Sequence, residues 1–129
     1  MILTLELPEY LSPGLNRWQR MHFRTRGREK QRVTGLLVHA LMSQDWRTIS
    51  GPVPVVYTRI RRSGPEMDED NLAGSFKVIG DALQGLWVIE NDQDIRLDAR
   101  QERRATGQRA AFWGTRLVIG PFRAPRSIS

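Results

Sequence analysis

The chain contains no cysteine, which excludes disulfide bonds and any metal site built on thiolates. Histidine is almost as scarce: His22 and His39 are the only two, so a histidine metal site is not expected. No apolar run approaches the roughly 20 residues of a transmembrane helix, and no basic segment followed by an apolar core opens the chain. These absences predict a cytoplasmic protein that makes no membrane contact.

Internal repeats, low-complexity tracts, a glycine-rich phosphate loop and ligands at zinc spacing are also missing. With 129 residues, the chain is long enough for one hydrophobic core and too short for two. Residues 1–129 are therefore predicted to form a single domain, with 121–129 as a loosely held tail.

Lysine is scarce in this chain, whereas arginine is abundant. The net charge is +6, and only Lys30 and Lys77 among the 20 basic residues are not arginine. The planar guanidinium group binds phosphate through two hydrogen bonds at once, which favours a polyanionic partner. A GC-rich genome produces the same bias without any function, and this alternative stays open.

Alternation of apolar and polar residues predicts strands. Apolar and polar residues alternate over residues 2–7, and residues 51–60 form a β-branched run opened by prolines. Two further segments, 95–104 and 110–119, flank a turn at 105–108 and look like a hairpin. The predicted fold class is α+β, with a mixed, mostly antiparallel sheet packed against two main helices.

The two main helices are predicted from periodicity. Residues 29–46 have an amphipathic pattern and are interpreted as a packing helix. Residues 70–84 are predicted to form a second helix, in which apolar residues recur in one stripe. That stripe consists of Leu72, Phe76, Ile79 and Leu83.

Carboxylates are concentrated in the middle of the chain, where nine of the fourteen acidic residues lie between positions 66 and 98. On the predicted helix, Asp70, Lys77 and Asp81 fall within about 20° of one line, opposite the apolar stripe. Asp68 precedes the helix, and Asp92 follows it in a second acidic group. The sequence therefore predicts that these carboxylates converge.

Clustered carboxylates repel one another, so a cation is expected among them. Oxygen ligands from aspartate, asparagine and water are what Mg²⁺ prefers. In the alternative interpretation, Asp68 or Asp70 caps the helix and the other acids lie near the positive end of the helix dipole.

Arginines alternate with aromatic residues over positions 16–28. Such a segment can bind a phosphate backbone while its rings stack on bases. Alternatively, Trp18, Met21 and Phe23 belong to the core and the arginines are solvated; the two interpretations are compatible. The residues expected to contact DNA are Asn16, Arg17, Arg20, Arg24, Arg26, Arg28, Arg59, Arg61 and Arg62.

The run Asp68-Glu69-Asp70-Asn71, followed by Lys77, by Asp81-Ala82-Leu83 and by Asn91-Asp92, resembles the signature of RusA-type Holliday junction resolvases. These are small Mg²⁺-dependent endonucleases encoded largely by bacteria and their prophages. Leu7-Pro8, Asn16 and the arginine-rich residues 17–32 are similar to the N-terminal loop of that family. The specific part of the resemblance covers positions 68–92.

The resemblance implies a symmetric homodimer with a compact α/β fold and one active site per subunit. It implies that Asp68, Asp70 and Asp92 bind Mg²⁺, for which Mn²⁺ is a substitute, and that Lys77 is the essential lysine. The implied substrate is branched DNA such as a four-way junction, in DNA recombination and repair. Side chains expected beside this site are Asn71, Asp81 and Asn91.

Two departures from the family pattern support other hypotheses. Lys77 lies about one helical turn further from Asn71 than in the best-known members, and Asn91 stands where an aspartate is more usual. A DNA-structure-binding protein without catalysis is the second hypothesis. The third is a basic RNA-binding or ribosome-associated module, in which the acids only cap a helix.

Overall fold

The computed structural model describes residues 1–105, 107 and 111–122 and shows a small α+β fold. Its strands are β1 (Leu3–Pro8), β2 (Val53–Arg61), β3 (Ile95–Arg103) and β4 (Gly114–Ile119). Its helices are α1 (Leu15–Arg20), α2 (Phe23–Leu41), α3 (Glu69–Ser75) and α4 (Lys77–Gly85), with a 3₁₀ turn at Asp92–Asp94. Residues 123–129 of the predicted tail and residues 106 and 108 of the predicted turn lie outside the described residues.

The four strands form one sheet in the order β1-β4-β2-β3. Strand β4 pairs antiparallel with both β1 and β2, whereas β3 runs parallel to β2 at the edge. The predicted mixed, mostly antiparallel sheet is confirmed, but the predicted hairpin is wrong because β3 and β4 are not neighbours. Burial explains the order: Thr115, Leu117 and Ile119 of β4 are fully buried, whereas β3 is largely exposed.

The first two strands occur where the sequence predicts them. Strand β1 alternates buried and exposed residues along its whole length. Strand β2 begins at Val53 and buries Val55, Tyr57 and Ile60 completely. Local periodicity was sufficient for both strands because each has one clearly apolar face.

Helix α2 begins six residues before the predicted start at 29 and ends five before the predicted end at 46. His22 explains the early start, since its Nδ1 accepts a hydrogen bond from the backbone N–H of Arg24 and caps the helix. The amphipathic pattern of residues 29–46 rests on Val33, Leu36, Leu37, Ala40 and Leu41. Of these, α2 buries Val33, Leu37 and Leu41, whereas Leu36 and Ala40 are partly buried.

The helix predicted over 70–84 is two helices, α3 and α4, which meet at Phe76. The Ser75 hydroxyl contacts the Leu72 carbonyl at 2.6 Å and the buried Tyr57 hydroxyl at 2.7 Å. Bonding of a serine side chain back to the preceding turn bends helices. The apolar stripe is nevertheless buried as predicted, and with α2 it covers one face of the sheet.

No helix within residues 1–105, 107 and 111–122 is both long and apolar enough to cross a membrane.

Candidate functional site

An open cleft of about 580 Å³ lies between α1, β2 and the start of α3. We call it the basic cleft. Its lining includes six of the residues that the sequence predicts to be functional. These six are Asn16, Arg17, Arg20, Arg59, Asp68 and Asn71.

Asn71 joins the two walls of the basic cleft. Its Oδ1 accepts a hydrogen bond from the backbone N–H of Asn16 at 3.1 Å, and its Nδ2 donates to Asp68 Oδ2 at 3.1 Å. Its own backbone N–H donates to Asp68 Oδ1 at 2.8 Å. Asp68 therefore caps α3, as the alternative interpretation expects, but a carboxylate keeps further lone pairs for a cation.

Helices α1 and α3 approach closely because α3 contains Gly74. A Cβ atom at this position would lie 2.4 Å from Leu15 Cβ. This contact holds the start of α1 against the last turn of α3, and one turn earlier in α3 the Asn71 side chain accepts the hydrogen bond from Asn16. The basic cleft therefore depends on a glycine that neither lines it nor carries a side chain.

Gln101 of β3 fixes the backbone just before Asp68. Its Oε1 accepts from the backbone N–H of Met67 at 2.9 Å, and its Nε2 donates to the Met67 carbonyl at 2.7 Å. No sequence pattern indicates this role of Gln101, since the pairing depends on the parallel register of β3 and β2.

Arg59 brings the most enclosed positive charge to the basic cleft. Its side chain is half-buried, and its Nε has no hydrogen-bond partner within the described part of the chain. Burial lowers the pKa of Arg59, and neighbouring Arg61 lowers it further, although Tyr57 opposes the shift. An arginine remains charged at neutral pH despite such a shift. Arg59 therefore presents a cation with unused hydrogen-bonding capacity.

Two buried tyrosines lie near Ser12, which also lines the cleft. Burial is the main cause that raises the pKa of both Tyr10 and Tyr57, so both hydroxyls are neutral at physiological pH. Tyr10 donates to Glu29 Oε1 at 2.5 Å, and Tyr57 is paired with Ser75. These hydroxyls support the cleft without adding negative charge to it.

The other predicted catalytic residues lie outside the lining of the basic cleft. Asp70 is exposed on the first turn of α3, and Lys77 is exposed at the start of α4. Asp81 lines a different cleft. The backbone N–H of Asp92 donates to Gln84 Oε1 at 2.8 Å near the end of α4. Beside it, the Asn91 side chain caps the 3₁₀ turn by accepting from the Gln93 N–H.

Strand β3 separates Asp92 from Asp68. Asp68 adjoins Met67, which is bonded to Gln101, whereas Asp92 lies just before Ile95 at the other end of the strand. The seven residues from Ile95 to Gln101 span about 20 Å, since they are joined by six steps of about 3.3 Å. The structure therefore does not bring the three predicted metal ligands together within one chain. No group of three or more acidic or histidine side chains in the described ranges could hold a metal ion.

The predicted DNA-binding arginines divide into two groups. Arg17, Arg20, Arg24 and Arg28 are exposed, as is Arg62, whose guanidinium lies 4.6 Å from the ring centroid of Trp113. Arg26, by contrast, donates to the carbonyls of Trp18 and Gln19 and so ties α2 to α1.

Arg61 is also structural: it is buried, and it donates to the carbonyls of Gly64 and Glu102. The aromatic residues divide in the same way, since Trp18 is buried and Phe23 is 71% exposed. Both interpretations of residues 16–28 therefore hold, each for different side chains.

The basic cleft combines guanidinium groups with carboxylates. Arg17, Arg20 and Arg59 can bind phosphate, whereas Asp68 and neighbouring Glu66 repel it. Within the described residues, neither acid forms an ion pair with these arginines. No protein-family model matches this chain, and no curated protein matches it significantly.

Proposed function

We propose that this protein is a Mg²⁺-dependent endonuclease that hydrolyses phosphodiester bonds in branched DNA. The observation that carries the proposal is the carboxylate of Asp68 at the capped end of α3, in a cleft lined by Arg17, Arg20 and Arg59. An acid weakens a surface that only binds DNA, because it repels the phosphates. The same acid is useful where a divalent cation lies between it and the phosphate.

The donors at the start of α3 fit a hydrated Mg²⁺. Each carboxylate oxygen of Asp68 accepts one hydrogen bond from Asn71, which orients the group and leaves lone pairs unused. Asp70 follows on the first turn and is exposed. Mg²⁺ typically takes one or two protein carboxylates, with water and phosphate completing its octahedron. A bound Mg²⁺ supplies an activated water and neutralises charge on the scissile phosphate.

The cations of the chain have separate roles in this proposal. Arg59 at the cleft, with Arg17 and Arg20 on the α1 wall, binds the phosphate backbone and fixes the strand in register. Lys77 lies about 10 Å from Asp70 along the helices. Its ammonium group is the proposed contact for a non-bridging oxygen or for the leaving group.

Asp92 can join Asp68 only from a second copy of the chain, since β3 separates the two within one copy. A symmetric homodimer whose copies run antiparallel along α3 and α4 would place Asp92 of one copy near Asp68 of the other. The homodimer is therefore part of the proposal, and it gives two active sites for two opposed strands.

Cleavage assays test the proposal directly. Labelled four-way junction, fork and linear duplex are incubated with the protein in Mg²⁺, in Mn²⁺ and in EDTA. We expect nicks in the junction with either metal, none in EDTA and none in the linear duplex. Cutting of the linear duplex at the junction's rate, or nicking without a divalent metal, would contradict the assignment.

A DNA-structure-binding protein without catalysis is the second candidate. It is favoured by the separation of Asp92 from Asp68 and by Asn91, which removes a carboxylate from the second acidic group. This candidate predicts that junction DNA shifts in a gel but stays uncut in both Mg²⁺ and Mn²⁺.

Replacing Arg59 with methionine should weaken junction binding about tenfold, because a charge-assisted hydrogen bond contributes roughly 1.5–3 kcal/mol. The slope of log affinity against log salt should fall by about one, as expected for one lost phosphate contact. Titrations at several salt concentrations measure both quantities. Arg47→Met removes the same charge from an exposed loop and should change affinity less than twofold. Equal losses in the two variants would show that Arg59 contributes only to net charge.

A further inference from the structure

Helix α4 ends in a Schellman motif whose left-handed position is occupied by Trp87. The Val88 N–H donates to the Leu83 carbonyl and the Trp87 N–H to the Gln84 carbonyl, both at 3.0 Å. Leu83 and Val88 are fully buried, as the hydrophobic contact of this motif requires. Trp87 has φ of 60°, where glycine is the usual residue because a Cβ atom is crowded.

The indole ring of Trp87 does not offset this conformational cost by packing into the fold, since it remains 63% exposed. A bulky residue held at positive φ and directed to solvent is an outlier on both counts. Strained conformations of this kind concentrate at binding and catalytic sites. The position of Trp87 thus calls for a role outside the stability of the chain.

An apolar groove of about 180 Å³ adjoins Trp87 through Leu86. Val38, on the last turn of α2, is 42% exposed there. Met42, just after the end of α2, is 79% exposed. The groove is lined by Val38, Leu41, Met42, Trp46 and Leu86. Contiguous exposed apolar residues of this kind mark contact surfaces, whereas isolated ones do not.

A wider cleft of about 710 Å³ lies on the other side of Leu86 and Trp87. Asp81 and Glu90 contribute two carboxylates to it, against the single ammonium of Lys30. In a chain of net charge +6, this acidic cleft repels nucleic acid and attracts a cation. None of the arginines that line the basic cleft lines this acidic cleft.

We propose that the Trp87 surface, formed by the apolar groove, Trp87 and the acidic cleft, binds a segment of a partner protein. That segment carries an apolar side chain beside an arginine or lysine. The apolar side chain fills the groove, and the cation lies on the indole face near Asp81 and Glu90. Buried tryptophan anchors and cation–π contacts are typical of such recognition. Within one copy, the Trp87 surface and Asp68 lie at opposite ends of α3 and α4, on the order of 20 Å apart.

Peptide selection tests the proposal. A random peptide library displayed on phage is selected on wild-type protein and counter-selected on Trp87→Gly. The enriched peptides are expected to share an apolar residue adjacent to arginine or lysine, and a synthetic peptide of that consensus is then titrated. We expect Trp87→Gly to weaken its binding at least tenfold, and Glu90→Gln to weaken it less. Phe23→Ala removes another exposed aromatic ring, far from this surface in the sequence, and should leave peptide affinity unchanged.

Stability separates a binding role of Trp87 from a structural one. Glycine relieves the left-handed strain, so Trp87→Gly should unfold at the same or a higher urea concentration than wild type. A lower midpoint would show that the ring supports the fold and would overturn the proposal. So would selection of no shared consensus, or equal peptide binding by the variant. Loss of self-association in Trp87→Gly, or of junction affinity, would assign the surface to a second copy or to DNA instead.

Discussion

Asp68→Asn should abolish nicking of a four-way junction while the protein remains folded and still binds the junction. Asparagine caps helices as well as aspartate does, so the hydrogen bond from the Asn71 N–H survives the change. What is lost is the negative charge that holds the divalent cation, together with the acceptor for the Asn71 Nδ2–H. Changes to the outer shell of a metal site lower activity by about 10–100-fold, so the loss of a direct ligand should exceed that.

Single-turnover nicking of labelled junction in Mg²⁺ measures this loss, and a gel shift in Ca²⁺ measures binding. Asp45→Asn is the matched control, because it removes the same charge from an exposed position after α2. Asp68→Ala adds a separate effect, the loss of the cap, which costs about 1 kcal/mol of stability. Nicking by Asp68→Asn within twofold of the wild-type rate would remove Asp68 from the proposed mechanism.

Gly74→Ala should destabilise the protein by about 1–3 kcal/mol, because the added methyl group overlaps Leu15 Cβ, which would be 2.4 Å away. A loss of stability is the opposite of the usual effect, since Gly→Ala within a helix normally stabilises a protein by about 0.4–1 kcal/mol. Displacement of α1 should also weaken junction binding, because α1 carries Asn16 and Arg17.

Gly35→Ala in α2 is the control for that prediction, since no atom lies within 4 Å of the Cβ it would add. Urea denaturation should therefore give opposite signs for two identical substitutions in helices. If both variants were stabilised, α1 would move away from α3 without cost, and the close contact would not position the basic cleft.

Local pattern was enough to predict the fold class, because β1, β2 and the apolar stripes of the helices follow from one-sided burial. Pairing of distant strands is not a local property. The charges of β3 suit an edge strand and the apolar face of β4 suits a central one, yet neither shows which neighbour each strand has. The break between α3 and α4 at Phe76 could not be predicted from the sequence for the same reason, since it depends on contact between Ser75 and Tyr57.

The candidate site was predictable in part. Asp68 and Asn71 are three residues apart, so helical geometry alone places them together with the N-terminus of α3. Their meeting with Asn16 and Arg59 depends on tertiary packing, although the residue types indicated a shared function. Asp92 does not join Asp68 within one chain, because the 3₁₀ turn that contains Asp92 lies at the opposite end of β3. Trp87 gave no signal at all, since sequence does not show which residue takes a positive φ.

The position of β4 between β1 and β2 also determines when a nascent chain can complete its sheet. Leu3 pairs with Ile119, so β1 cannot pair with β4 until almost all the intervening residues have been translated. At ribosomal speeds this delay is on the order of ten seconds. Throughout it, the apolar faces of β1 and β2 are available to chaperones and proteases, and a chain terminated before β4 never covers them.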